Sequence, residues 1–355
     1  MNVFITEAYR TPVGIKGGIL KKAGAEQLAA PVIKKLSDRL QSPPNEVILG
    51  NVTGPGGNIA RLSSLLAGLP DTVPGLTIDR QCSSGLEAIR LAASLIKSGE
   101  ADCIIAGGCE SSSTSPRPEK AVFSPPYIGD PEMGIAAEWL AEREQISRTD
   151  QDHYAILSYN RYYDSAARGL FQKEVVPVNG ITKDEAAMKK RPIEKLAGRA
   201  KAAFQSGGTV TAINSSAFND AACAVTLTSK ASKGLKIVGS AAAGADPNFP
   251  AATPVPAIQK LLKHHHLTAR DIGLWEINEA FAVKILYTAR ELNIPIQRIN
   301  VYGGGLALGH PYGASGAMLV LRLFYGMPEK RVKYGIAAVG SAGGIGVAML
   351  FEYIN

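Results

Sequence analysis

One order of elements occurs twice in this 355-residue chain, and that duplication constrains the fold more than anything else in the sequence. The first copy runs from an apolar strand at Glu46-Val47-Ile48-Leu49 to a helix beginning at Arg61, a strand at Gly75-Leu76-Thr77-Ile78, a helix after Cys82, and a strand from Cys103 to Gly108. The second runs from a strand at Trp275 to Asn278 through a helix from Phe281 to Leu292 and a strand near Asn300-Val301. A glycine-rich turn, a helix from Ser315 and a strand from Ile336 to Val339 complete it. Residue identity between the copies is weak, so it is the pattern that repeats. Strands that are apolar throughout and alternate with helices read as sheets covered on both faces. The expectation is an α/β molecule of two halves, each built on a parallel-rich sheet.

Between the copies the composition changes. The run from Ser111 to Pro126 is rich in serine and proline. Helices are expected over residues 131–143 and 149–168, the second capped at Thr149-Asp150 and ended by Gly169. The expected division is residues 1–115 with 207–233 as the first half, 116–206 as an inserted loop domain, and 234–355 as the second half.

Within the first half, Gln81-Cys82-Ser83-Ser84-Gly85-Leu86 places a cysteine at the start of an amphipathic helix whose apolar positions include Leu86, Ile89, Leu95 and Ile96 and which stops at Gly99. The positive end of a helix favours thiolate, although a free cysteine is more often a small buried hydrophobe. The second half offers partners. Trp275-Glu276-Ile277-Asn278-Glu279-Ala280-Phe281 is a strand ending in polar residues that turn into a helix, and the loop Gly303 to Gly316 carries one histidine, His310. A glycine-rich loop also serves as a tight turn or a phosphate cradle, and a lone histidine as a satisfied core residue. Cysteine, histidine and asparagine together suit thioester chemistry: imidazole takes the thiol proton and donates to an oxyanion, while the amide orients a donor or a water.

These motifs resemble those of the thiolase family, the acetyl-CoA acyltransferases, and they occur in the family's order across nearly the whole chain. The series is Arg10-Thr11-Pro12-Val13-Gly14, Gly50-Asn51-Val52, the Cys82 motif, Met133-Gly134, Gly207 to Ser216, and the Asn278 and His310 motifs. The resemblance implies a five-layered αβαβα fold of two duplicated halves with mixed sheets and an inserted loop domain. It implies that Cys82 carries the acyl group, that His310 activates it, and that Asn278 holds a water completing an oxyanion hole with His310. Backbone N–H groups of Cys82 and Ala342 would form a second hole. Met133, Phe204, Ala212, Ser215, Ser216, Ala280 and Phe281 would line the pantetheine channel. Coenzyme A and its acyl thioesters would be substrates, with no permanently bound cofactor. The stretch from Cys82 to Met133, which in the family carries the excursion that builds tetramers, is short here, implying a homodimer.

One departure matters. The family's second catalytic cysteine, which moves the α proton in the carbon–carbon step, sits in a Cys-x-Gly-Gly-Gly-x-Gly loop; here the run reads Gly340-Ser341-Ala342-Gly343-Gly344-Ile345-Gly346. Gly340 has no side chain to do that work, and Ser341 is a weak acid displaced by one residue, which repoints it. A placed general acid or base contributes about 10² to 10⁴-fold, roughly 3 to 5 kcal/mol. The sequence therefore predicts a split: competent acylation of Cys82 with impaired carbon–carbon chemistry. Two further readings stand beside it, a decarboxylative condensation of the ketoacyl-synthase kind and a non-catalytic acyl-CoA-binding subunit.

Composition agrees with a soluble enzyme, at 46% hydrophobic and 19% charged residues. Cys82, Cys103, Cys109 and Cys223 are widely spread and are expected as reduced thiols rather than a disulfide framework. The start has no basic leader before an apolar core, and no apolar run reaches the length of a membrane span. The expected location is cytoplasmic. A formal net charge of +7 could suggest nucleic acid, but the basic residues are scattered and aromatics are only 6%, so no stacking platform is present. Lys189, Lys190, Arg191, Arg199 and Lys201 form the densest basic stretch, a candidate for coenzyme A phosphates or a solvated helical face. His264-His265-His266 is read as a surface helix end, because three consecutive residues do not face one point as i and i+4 would. No metal is expected.

Overall fold

The computed structural model describes residues 1–116 and 121–355; residues 117–120, in the serine- and proline-rich run at the start of the expected insert, lie outside the described residues. The strands are β1 (Phe4–Arg10), β2 (Gly14–Ile15), β3 (Glu46–Gly50), β4 (Gly75–Ile78), β5 (Cys103–Ser111), β6 (Asn219–Thr228), β7 (Gly234–Gly244), β8 (Leu274–Ile277), β9 (Tyr334–Ser341) and β10 (Ile345–Ile354). The helices are α1 (Ala25–Ser37), α2 (Ile59–Leu66), α3 (Ser84–Ser98), α4 (Met133–Arg143), α5 (Arg148–Ala167), α6 (Glu185–Met188), α7 (Ile193–Ala197), α8 (Pro254–His264), α9 (Ala282–Glu291), α10 (Gly305–Leu308) and α11 (Tyr312–Lys330).

The strands lie in the order β4-β3-β5-β6-β1-β7-β10-β9-β8, with β2 against β6. The two halves repeat: β4-β3-β5-β6-β1 is matched by a lone bridge at Ile299, then β8-β9-β10-β7. Three expectations drawn from the residue pattern need correction. The sheets are mixed rather than parallel-rich, with parallel pairing confined to β3 with β4 and β5, and β8 with β9. They are also joined edge to edge, through Phe4↔Lys236 and Ile5↔Leu235 of β1 and β7. The strand expected near Asn300-Val301 shrinks to the single bridge Trp275↔Ile299. Asn300 takes a left-handed φ of 46° that breaks extension, and its side chain instead bonds the backbone of Ile277.

Burial explains why the strands read as continuous apolar runs. In β5, Ile104 and Ala106 face the core shared with α3 and α11, whereas Ile105 and Cys109 face the outer core with α1. In β9, Ala337 and Val339 face the shared core, whereas Ile336 and Ala338 face the outer core with α8 and α9. Period-2 alternation thus feeds two different cores instead of core and solvent. Five layers result: α1 and α2, the first-half strands, α3 with α11, the second-half strands, then α8 and α9.

The segment between β5 and β6 carries α4 to α7. Helix α5 is capped two residues earlier than expected, by Ser147, whose hydroxyl accepts from the Asp150 N–H, so Thr149 already lies inside the helix. The segment is tied down by Arg10, fully buried at the end of β1. Its guanidinium donates to Glu174 at 2.6 Å and to Asp184 at 2.5 and 3.0 Å, and Arg322 of α11 also pairs with Glu174. The Arg10 motif is therefore an anchor for the inserted segment.

Candidate active site

Each half supplies a loop that runs into a helix of the middle layer. In the first, the chain leaves β4 and turns at Gln81, whose left-handed φ of 50° is strained for a side chain of this type. The turn is locked by Ser84, whose hydroxyl donates to the Gln81 carbonyl at 2.6 Å and accepts from the Arg80 N–H at 2.7 Å. Cys82 stands at this elbow, just before Ser83, the N-cap of α3.

In the second half, Asn278 hangs from the end of β8 by its N–H, which donates to the Ala338 carbonyl at 3.0 Å. Its amide Nδ2 lies 3.3 Å from His310 Nε2. The other ring nitrogen, Nδ1, is 2.6 Å from Ser315 Oγ, and the Ser315 hydroxyl hydrogen is directed at the Pro311 carbonyl at 3.0 Å. With that hydrogen committed, Ser315 Oγ accepts from Nδ1–H, which assigns the tautomer and leaves a lone pair on Nε2. Glu279, next to Asn278, is fully buried and accepts from Tyr154, Ser158, Asn300 and the Leu306 N–H, fastening the Asn278 loop to α5 and to the histidine loop.

The two loops meet because backbone replaces side chains where they cross. A Cβ on Gly313 would lie 2.6 Å from the carbonyl oxygens of Cys109 and Gly50, and one on Gly108 would run into the Gly313 carbonyl. Glu110, buried at the end of β5, closes the junction by accepting from the N–H groups of Val52, Thr53 and Gly313 at 3.1, 3.1 and 3.0 Å.

Burial sets the charge states. Desolvation pushes the Cys82 thiol up to about 11, against the opposing pull of Lys284 and of the backbone N–H groups of Cys82 and Ala342. Desolvation, reinforced by Lys284, pushes His310 down to about 3. Cys82 precedes the N-cap and is half-buried, and loss of solvation opposes the thiolate expected from the helix end. The resting pair is a thiol and a neutral imidazole. The backbone N–H groups of Cys82 and Ala342 are among the polar groups that pull the thiol down.

Residues 3–231 match the model of the thiolase N-terminal domain, and residues 231–353 match that of the thiolase C-terminal domain. The chain belongs to the thiolase family. It is 54% identical over 363 residues, covering 100% of both chains, to a Bacillus subtilis (strain 168) protein named "Putative acetyl-CoA C-acetyltransferase YhfS". It is 39% identical over 376 residues, covering 98% of both, to the Staphylococcus aureus (strain MSSA476) protein named "Putative acetyl-CoA C-acetyltransferase VraB". Among solved structures it resembles the Bacillus anthracis acetyl-CoA acetyltransferase with a TM-score of 0.93 and 36% identity over 99% of each chain.

Most residues expected to line a thiolase pantetheine channel are gathered beside this centre. Ala280 and Phe281 belong to one apolar cluster against which Met133 and Phe204 pack, with the Phe204 and Phe281 rings edge to face at 6.2 Å. Ser216 donates its N–H to the Ala280 carbonyl at 2.9 Å, and Ser215 bridges Phe281. Ala212 is exposed on the same loop, after Thr211, which pairs with Ala202. The basic stretch is exposed and spread along the chain: Lys190 lies over the Tyr163 ring on α5, whereas Arg199 and Lys201 lead into Phe204. His264 ends α8 and is exposed, with its ring edge to face against His265 at 4.9 Å.

Position 340, where the thiolase resemblance leads one to expect a second cysteine, is occupied in an unexpected way. A Cβ at Gly340 would lie 2.6 to 2.8 Å from Thr253 Oγ1, Pro254 Cδ and the Pro250 carbonyl, so the room for a side chain there is already filled. Ser341 points the other way, its hydroxyl 2.6 Å from that of Ser83 inside the protein. The Gly340 carbonyl instead receives the Lys284 ammonium at 2.9 Å. Lys284, on α9 and 3% exposed, is a residue that motif reading missed. Its signal was present: it is a charged residue on the buried helical stripe Phe281, Lys284, Ile285, Thr288.

Proposed function

We propose that this thiolase-family protein is an acyl-CoA acyltransferase that carries the acyl group as a thioester on Cys82, with acetyl-CoA, as in the names of its relatives, as a substrate. One observation supports this above the others: a buried His310 whose Nε2 lone pair faces the Asn278 amide, with Lys284 acting on both this imidazole and the Cys82 thiol. As Sγ attacks the thioester carbon, the thiol proton passes to Nε2 of His310. The carbonyl oxygen gains negative charge and is received by the N–H groups of Cys82 and Ala342. The coenzyme A sulfur leaves with the bonding pair and takes the proton from His310, restoring the neutral imidazole. Asn278 donates to the same space and holds the water of the other hole. Met133, Phe204, Ala212, Ser215, Ser216, Ala280 and Phe281 would contact the pantetheine arm.

None of these steps uses position 340, so acyl transfer needs no cysteine there, whereas carbon–carbon chemistry needs an acid and base from another residue. The enzyme works without a resident cofactor, in the cytoplasm, as a homodimer divided at 1–115 with 207–233, 116–206 and 234–355. Exchange of labelled coenzyme A into acetyl-CoA tests the reading. The protein is expected to catalyse it and Cys82→Ala to lose it; no exchange by the wild-type protein would favour the acyl-CoA-binding reading instead.

A further inference from the structure

We propose that Lys284 is the acid and base of the carbon–carbon step, an amine that does from α9 what the absent thiol at position 340 would have done. This rests on the acyl-Cys82 reading above.

The geometry carries the assignment. Lys284 reaches through the protein to the main chain of position 340, donating to the Gly340 carbonyl at 2.9 Å. Among the described residues it forms no ion pair, although it is almost wholly buried. A buried ammonium without a counter-ion is costly to fold around, and such groups are concentrated at functional sites. The two ionisable side chains that sense it are Cys82 and His310, so it faces the reacting groups rather than a structural partner. The competing candidates are engaged elsewhere. Ser341 is bonded to Ser83 on the far side of the strand, and in the acyl-transfer reading His310 takes the Cys82 proton. Removal from water brings the ammonium down to about 8, partly offset by Cys82, so both of its forms are accessible near neutrality.

The steps balance in the cleavage direction. Cys82 gives its proton to His310 and its sulfur bonds to the 3-keto carbon of a 3-ketoacyl-CoA. The bond between C2 and C3 breaks with its electron pair passing to C2. The Lys284 ammonium delivers a proton to C2, releasing acetyl-CoA and leaving a neutral amine. The proton held by His310 then returns Lys284 to its ammonium form, and coenzyme A removes the acyl group from Cys82 by the reverse of the acylation already described. In condensation the neutral amine removes the α proton of acetyl-CoA.

The test is deuterium exchange into the methyl group of acetyl-CoA in D2O, with intact-protein mass of the acetylated enzyme alongside. Wild-type protein is expected to exchange, with a rate that rises with pH through about 8 and then levels as the amine becomes neutral. Lys284→Met and Lys284→Arg are expected to lose exchange, and cleavage of acetoacetyl-CoA with it, by about 100-fold or more. Acetyl on Cys82 in either variant shows that it has folded; if neither folds, the wild-type pH profile decides. Exchange at the wild-type rate in a folded variant, a flat wild-type profile between about pH 7 and 9, or a wild-type protein that is acetylated on Cys82 but does not exchange would each overturn the assignment. Absence of acetyl-Cys82 in the wild-type protein would instead overturn the acyl-transfer reading, and this one with it.

Discussion

At the scale of single residues the site combines a half-buried thiol with a buried, neutral imidazole. A thiol pushed up to about 11 has little thiolate at neutral pH. Alkylation of Cys82 by iodoacetamide is therefore expected to accelerate about tenfold per pH unit between about pH 7 and 10, since only the thiolate reacts. A plateau below about pH 8, measured by mass spectrometry of the Cys82 peptide, would mean that a thiolate–imidazolium pair exists at rest. His310 affects stability through the same burial. Its imidazole sits near 3 when folded and 6.5 otherwise, so from pH 6.5 down to 3 the unfolded chain binds the extra proton. Its contribution is present above 6.5 and is lost as pH falls through that window, which denaturant titration of His310→Gln against wild type would show. Ser315→Ala is expected to lower acyl transfer by about 5- to 150-fold, the loss of one buried hydrogen bond worth about 1 to 3 kcal/mol, by freeing the imidazole to change tautomer. Unchanged rates of coenzyme A exchange would argue against the assigned tautomer.

At the scale of elements, the catalytic loops are placed by close backbone crossings rather than by specific side-chain contacts. Gly313→Ala would drive a methyl into the Cys109 and Gly50 carbonyls at 2.6 Å. A loss of about 1 to 3 kcal/mol in chemical denaturation is expected, together with loss of Cys82 acylation. Gly340→Cys is expected to destabilise to a similar extent without raising the rate of carbon–carbon chemistry, because Thr253, Pro254 and Pro250 fill the space. Faster acetoacetyl-CoA cleavage in that variant would show that the room can be regained. These elements also show what the sequence disclosed. Helix α3 could be read from Leu86 to its Gly99 stop because its apolar face and its left-handed terminus are both local properties. The strand expected at Asn300 could not be excluded, because its failure depends on a side chain that bonds Ile277 across the fold. Lys284 was legible as an anomaly on α9, but its target, a carbonyl 56 residues away, was not.

For the whole molecule, the duplicated pattern was the most readable feature and the joining of the halves the least. Pairing of β1 with β7 involves two residue pairs and leaves no periodic signature. The same limit applies to Arg10, which reads as part of a motif but acts by holding Glu174 and Asp184 without solvent. Arg10→Met, leaving buried Asp184 without an ion-pair partner and Glu174 with Arg322 alone, is expected to cost about 3 to 5 kcal/mol and to loosen the inserted segment, observable by hydrogen exchange over α5. The outer face of α2 exposes Leu62, Leu65 and Leu66 beside the edge strand β4, where Leu76 is also exposed. If the proposed homodimer forms through this apolar face, Leu66→Asp is expected to yield monomers in light scattering, and an unchanged dimer would place the interface elsewhere. The central claim, that the acyl group travels on Cys82, is tested most directly by intact-protein mass after mixing with acetyl-CoA, followed by peptide mapping. The account predicts one acetyl group per chain, on Cys82, removed by free coenzyme A and absent in Cys82→Ala. An unmodified wild-type protein, or acetyl found on another residue, would contradict it.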